Sequence, residues 1–175
     1  RKVSGSKIGI IGLGRIGRTI AKRAEAFDMQ IAYTDRSVIP GVPYDFFPSA
    51  ATLAREVDYL VVAAYGGPST LGLVNAEVLN ALGPDGYLIN IARGSVVNET
   101  DLVAALQDKR IAGAGLDVFA NEPNVPAELL TMDNVVLTPH MASGTHQTRK
   151  AMADLTHANL AAHFAGQALP TPIPG

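Results

Sequence analysis

Three residues that could act together on a small carboxylate-bearing molecule follow short apolar runs far apart in the chain. Arg93 comes after Tyr87–Ala92, Glu122 after Ala112–Val118 and His140 after Val135–Leu137. A guanidinium grips a carboxylate through two parallel hydrogen bonds and polarises a carbonyl beside it. An imidazole passes a proton near neutral pH, and a neighbouring carboxylate favours its protonated form. Together the three suit reduction of an α-keto acid, with hydride reaching the carbonyl carbon as a proton reaches its oxygen. Each alone has a plain rival: a loop ion pair for Arg93, a solvated turn for Glu122, a surface position for His140. The three at matching strand ends favour the chemical reading.

Hydride needs a carrier, and Lys7–Arg18 has the form of a dinucleotide-binding turn. The apolar run Ile8–Ile11 leads into Gly12, Gly14 and Gly17. Gly12 lets the chain turn sharply, Gly14 lacks the side chain that would hold a pyrophosphate off, and Gly17 lets the next helix pack closely on the strand. Free amides at that helix N-terminus, with the helix dipole, favour an anion. Ile20, Ala21, Ala24 and Phe27 then recur at helical spacing, and Gln30–Thr34 reads as a second strand ending at Asp35. That carboxylate stands where a ribose acceptor is needed, and it repels a 2′-phosphate. Arg36 and Ser37 beside it are residue types that bind one. The balance favours NAD, with NADP as the alternative.

The elements that must position these residues alternate along the chain. Ser49–Glu56 reads as a helix capped by Ser49, Asn75–Leu82 as one capped by Asn75, Asn98–Lys109 as one capped by Asn98, and Thr145–Phe164 as a long final helix. Val57–Ala64, Tyr87–Ala92, Ala112–Val118 and Val135–Leu137 read as strands, the first apolar on both faces; Arg36–Pro48, rich in proline and glycine, reads as a loop. Strand–helix alternation predicts an α/β fold: a Rossmann-type, doubly wound, mostly parallel sheet with helices on both faces and its ligands beyond the carboxyl ends of the strands.

Composition narrows the partners. The 175 residues, 47% of them apolar, can bury a substantial core, and a net charge of −2 offers no basic face for nucleic acid. No apolar run is long enough for a bilayer span, so no membrane partner is expected. There is no cysteine, which excludes disulfides and thiolate chemistry and fits a cytoplasmic setting. His146, His157 and His163 lie on the last helix without metal-ligand spacing. The chain opens Arg1-Lys2-Val3 and enters a strand almost at once, the expectation for a piece of a longer protein.

Gly12-Leu13-Gly14-Arg15-Ile16-Gly17, Asn90-Ile91-Ala92-Arg93-Gly94, Gly115-Leu116-Asp117-Val118-Phe119 with Glu122-Pro123, and Thr138-Pro139-His140 resemble the signatures of the D-isomer-specific 2-hydroxyacid dehydrogenases. The run Leu129–Phe164 is similar to the glyoxylate/hydroxypyruvate reductase branch. The resemblance implies that Arg93 binds the substrate carboxylate, His140 donates the proton and Glu122 pairs with His140. It also implies that Asp117 holds the nicotinamide carboxamide and Ile91 lies against the cofactor. Leu13, Arg15 and Ile16 would meet the pyrophosphate and Asp35 the ribose. Residues 1–175 would then be the dinucleotide-binding domain alone, lacking the family's substrate domain and so weakly active or inactive by itself. Pairing into a homodimer through this domain is a further implication. Ala64-Tyr65-Gly66-Gly67-Pro68 departs from the Pro-Leu-Thr type of segment found in many members. Relatives that sense NAD as transcriptional corepressors supply the alternative, a binding module without turnover; the complete Arg, Glu and His set favours the enzyme.

Overall fold

A computed structural model describes residues 2–173. Seven strands form one sheet: β1 (Lys7–Ile11), β2 (Gln30–Thr34), β3 (Asp45–Phe46), β4 (Tyr59–Val62), β5 (Tyr87–Asn90), β6 (Gly113–Leu116) and β7 (Val135–Leu137). All neighbours are parallel, in the order β3-β2-β1-β4-β5-β6-β7. The chain thus builds outward from β1 to one edge, returns to the middle and builds to the other. The reversal lies between β1 and β4, where Ile8 pairs with Tyr59 and Ile10 with Val61. Open α/β sheets take their ligands in the crevice at such a reversal.

Alternation along the strands feeds two cores. Ile8, Ile10, Ile31, Tyr33 and Val61 pack with Ala21 and Ala24 of α1 (Arg15–Glu25) on one face. Ile11, Leu60, Val62, Leu88 and Leu116 point the other way. They meet Leu53 of α2 (Ala50–Ala54), Leu79 of α3 (Ala76–Leu82) and Leu102 of α4 (Glu99–Gln107). Most of these side chains are fully buried, each stabilising the fold by about 1.5–3 kcal/mol. Strands apolar on both faces are what a sheet covered on both sides requires.

Three expectations need adjusting. The 36–48 loop contains β3, a two-residue edge strand that exists because Ala32 and Tyr33 pair with Asp45 and Phe46. Phe27 lies past the end of α1 and is 53% exposed, so it is not part of the inner face of that helix. Three strands, β4, β5 and β6, are shorter than the runs expected at 57–64, 87–92 and 112–118, because the last residues of each run belong to the loops that follow.

The chain divides after His140 into two compact units. The second contains α5 (His146–Phe164), capped by the Thr145 hydroxyl on the Thr148 amide and carrying a Lys150–Asp154 ion pair at 2.6 Å. His146, His157 and His163 are exposed on it, and no group of three or more potential metal ligands occurs among the described residues. No helix among those residues is long and apolar enough to cross a membrane.

Candidate active site

The hydrogen-bond ladder runs one residue beyond the strands at their carboxyl edge, and that residue opens each functional loop. Gly12 N donates to Thr34 O, Ala63 N to Ile11 O, Ile91 N to Val62 O, Asp117 N to Asn90 O and Thr138 N to Leu116 O. Site loops therefore start from positions fixed by the sheet.

At the reversal point the glycine turn is built by exclusion of side-chain atoms. Gly12 has φ +89°, and a Cβ there would lie 2.6 Å from Ala64 Cα in the loop after β4. A Cβ on Gly17 would lie 2.2 Å from Gly12 O, so α1 can approach its own turn only with glycine there. Gly14 differs: its φ is −72° and a Cβ on it would meet no protein atom within 4 Å. No contact within the chain demands glycine at that position, and its open face is one a ligand could approach. Four helices have side-chain caps, from Ser49, Asn75, Asn98 and Thr145; α1 has none, and no acidic residue in its first turn. The amides of Arg15, Ile16 and Gly17 at that end are donors suited to an anion. Ile16 is 60% exposed beside them.

Asp35 follows β2 and reaches back to this turn. Its Oδ2 accepts from Leu13 N at 2.9 Å and its Oδ1 from Arg36 N at 2.8 Å. The carboxylate is thereby fixed beside the glycines, with Arg36 and Ser37 exposed next to it. An oxygen acceptor, an uncapped helix end and an open glycine at one crevice fit a dinucleotide.

The second half of the edge carries the reactive groups. His140 Nδ1 and Glu122 Oε2 are 2.7 Å apart, and Glu122 Oε1 accepts from Phe119 N at 3.0 Å. The hydrogen bond from His140 is the main cause that lowers the Glu122 pKa from its ordinary value of 4.5, followed by the Phe119 amide; partial burial opposes them, and the charges of His140 and Arg93 assist. His140 has φ +49°, a left-handed conformation uncommon outside glycine, and its amide donates to Thr138 O at 3.0 Å. Nδ1 is engaged with the carboxylate, so Nε2 is the ring nitrogen from which a proton can pass to a substrate.

Arg93 stands on a braced turn. Buried Asn90 donates through Nδ2 to Arg93 O and accepts at Oδ1 from Ala92 N, both at 3.1 Å. Gly94 presses against the Glu122 loop so tightly that a Cβ there would lie 1.9 Å from the Phe119 carbonyl carbon. Ala120 N in that loop also donates to Glu99 Oε1 at the start of α4, at 2.8 Å. Asp117 is 5% exposed, and its Oδ1 accepts from the Thr138 hydroxyl at 2.6 Å; Ile91 is half-buried at the head of the Arg93 loop.

Arg93, Glu122 and His140 therefore come from three loops on one edge of one sheet, as their strand-end positions require. Asn90, Gly94 and Thr138 stand in the motifs that carry the resemblance but have no role in the sequence reading; the structure shows them bracing Arg93, the Glu122 loop and Asp117.

Comparison with known proteins identifies the family. A family model described as D-isomer specific 2-hydroxyacid dehydrogenase, NAD binding domain, matches residues 1–142. The hydroxyphenylpyruvate reductase of Plectranthus scutellarioides is 54% identical over 172 residues, 98% of this chain and 55% of that protein. The glyoxylate/hydroxypyruvate reductase A of Arabidopsis thaliana is 52% identical over 172 residues, again 98% and 55%. A crystal structure of the NADPH-dependent glyoxylate/hydroxypyruvate reductase of Sinorhizobium meliloti, in complex with NADP and malonate, superposes with a TM-score of 0.94. It shares 52% identity and covers 97% of this chain and 53% of its own. The chain spans about half the length of the curated relatives it matches. The chain belongs to the D-isomer-specific 2-hydroxyacid dehydrogenase family, with residues 1–142 matching its NAD-binding domain.

Proposed function

We propose that this chain is the cofactor-binding part of a reductase that converts a small 2-keto acid, of the glyoxylate or hydroxypyruvate type, to the D-2-hydroxy acid. The observation that carries the reading is the joint presence of Arg93 and the hydrogen-bonded Glu122–His140 pair beside a dinucleotide crevice. Relatives named as glyoxylate/hydroxypyruvate reductases support the substrate class.

In this reading the turn from Gly12 to Gly17 holds the pyrophosphate through backbone amides, Asp35 accepts from the adenosine ribose, and Ile91 and Asp117 receive the nicotinamide. A reduced dinucleotide supplies the hydride. Arg93 binds the substrate carboxylate and draws electron density toward the ketone oxygen. His140 Nε2 gives that oxygen its proton, and Glu122 orients the ring through its contact with Nδ1. A carboxylate at position 35, accepting from two amides beside the turn, disfavours a 2′-phosphate, which supports NAD over NADP; the Sinorhizobium meliloti enzyme, with NADP bound, keeps NADP as the competing choice. The family's second domain completes the cleft and excludes water, so the 175-residue chain by itself binds dinucleotide but turns over slowly. Absence of cysteine fits work in the reducing cytoplasm.

The test is oxidation of NADH and NADPH by the complete protein with glyoxylate, hydroxypyruvate and bulkier 2-keto acids. Rapid oxidation with the small acids is expected. Dinucleotide binding without oxidation on any keto acid would instead make the protein a sensing module. Fluorescence titration of this chain with NADH and NADPH tests the preference, tighter NADPH binding being the contrary result.

A further inference from the structure

We infer that Gly66 is the positioning residue for Arg93: the missing side chain at 66 is the space in which the arginine stem lies. The inference rests on the reading that Arg93 binds the substrate carboxylate. A Cβ on Gly66 would lie 2.5 Å from Arg93 Cγ and 2.8 Å from Arg93 Cβ, with Arg93 Cδ next at 3.8 Å. The three nearest atoms thus all belong to Arg93. Gly66 is outside the left-handed backbone region, so its φ alone does not require glycine. Contact with Arg93 is the reason that remains.

The two residues meet because their backbones are joined. Beyond the turn after β4, Gly72 N donates to Ser95 O at 2.9 Å, Val74 N to Val96 O at 3.0 Å and Asn98 N to Val74 O at 2.9 Å. This small parallel ladder lies outside the main sheet and ties the chain after Gly66 to the chain after Arg93. The turn itself is closed by Thr70, whose hydroxyl donates to Tyr65 O at 2.8 Å and accepts from Gly67 N at 3.0 Å. From the other side Asn90 fixes the Arg93 carbonyl, and Arg93 Nη1 donates to Ala92 O at 2.6 Å. Gly66 and the root of the arginine side chain therefore face each other across a closed frame.

The colliding atoms lie at the root of the side chain, where movement is amplified. A clash with the far end of an arginine is relieved by a small swing. One with Cβ and Cγ forces χ1 or χ2 into another staggered well, a turn of about 120° that carries the guanidinium several ångströms. A displacement of even 1 Å in a positioning group can lower the rate about a hundredfold. In this chain the space at Gly66 thereby sets where the Arg93 guanidinium sits, although Gly66 presents no functional group to substrate.

The experiment is a double-mutant cycle on the complete protein, with Gly66→Ala, Arg93→Ala and the pair, read by steady-state kinetics on glyoxylate. Gly66→Ala is expected to raise the glyoxylate KM about tenfold or more, with the dinucleotide KM and thermal midpoint unchanged. In the Arg93→Ala background it should have no further effect, because the clash and the grip disappear together. Gly67→Ala is the control: its Cβ would meet only the Tyr65 ring, at 3.6 Å, an ordinary contact. A Gly66→Ala protein with unchanged glyoxylate KM, or one whose loss is the same in both backgrounds, overturns the inference while leaving Arg93 in its role. An Arg93→Ala protein with unchanged glyoxylate KM overturns the reading of Arg93 and the inference with it. A crystal structure of Gly66→Ala gives a readout independent of turnover: a displaced Arg93 stem supports the assignment, and an unmoved one refutes it.

Discussion

The glycine turn after β1 and the Arg93–Glu122–His140 loops lie on the same sheet edge but are made in opposite ways. The turn is six consecutive residues that offer backbone amides, and two of its glycines are held by backbone contacts, Gly17 by Gly12 O and Gly12 by Ala64, while Gly14 stands open. The reactive loops come from three strands, and their working groups are side chains, with Arg93 and His140 exposed. Backbone sites are insensitive to most side-chain changes nearby but do not admit an added Cβ at the crowded glycines. Side-chain sites need an outside frame, here Gly66, Gly94, Asn90 and the ladder beyond them. Cofactor binding and chemistry should therefore be separable by mutation.

The sharpest separation should come from His140→Ala. Loss of the general acid is expected to lower kcat by about 10²–10⁴ while dinucleotide affinity stays within a few-fold. Steady-state kinetics beside a fluorescence titration would show it, and a parallel loss of affinity would erase the distinction between the two regions. Gly17→Val tests the other side. Overpacking against Gly12 O and Ile10 should destabilise the fold by about 1–3 kcal/mol and weaken dinucleotide binding, visible as a lower thermal midpoint and a weaker titration. A smaller change is expected from Asp35→Asn. Removing the charge should raise the NADPH-to-NADH affinity ratio about tenfold, roughly 1.4 kcal/mol, in competitive titration, with kcat on the preferred dinucleotide little altered.

The smallest effect concerns acid stability. The Glu122 pKa is below 4.5 in the folded chain, so as pH falls the unfolded chain takes up that proton first. Stability from the pair is present above about pH 4.5 and is lost as pH falls through the folded value. Glu122→Gln should flatten that part of a stability-versus-pH curve measured by denaturant titration, and an unchanged slope would show the pair to be energetically neutral.

The two regions were also unequally visible in the sequence. The glycine turn, the end of β2 at Asp35 and the caps at Ser49, Asn75 and Asn98 obey local rules of spacing and residue type, and they stand where those rules put them. Strand ends also showed which loops would share an edge, which brought Arg93, Glu122 and His140 together before any coordinates. What no local rule contains is contact across distant segments. β3 forms only because β2 offers an edge, and Phe46 packs its ring on Tyr33 at 5.5 Å. Gly94 against Phe119, Thr138 on Asp117 and Gly66 under Arg93 are equally products of folding. Phe27 had the right period for an inner helical face, but α1 ends at Glu25 and the ring lies outside.

The Asp35 carboxylate, accepting from Leu13 N and Arg36 N, has a consequence for descent as well as for binding. A lineage drifting toward the phosphorylated coenzyme would shed the negative charge, yet discarding the whole side chain strands two amide hydrogens at the mouth of the crevice. Replacements that keep one acceptor oxygen without charge, such as asparagine or serine, can serve one of the two amides in this arrangement, because each amide has its own carboxylate oxygen; alanine serves neither. Coenzyme taste in this chain can change only along routes that also preserve the shape of its first turn.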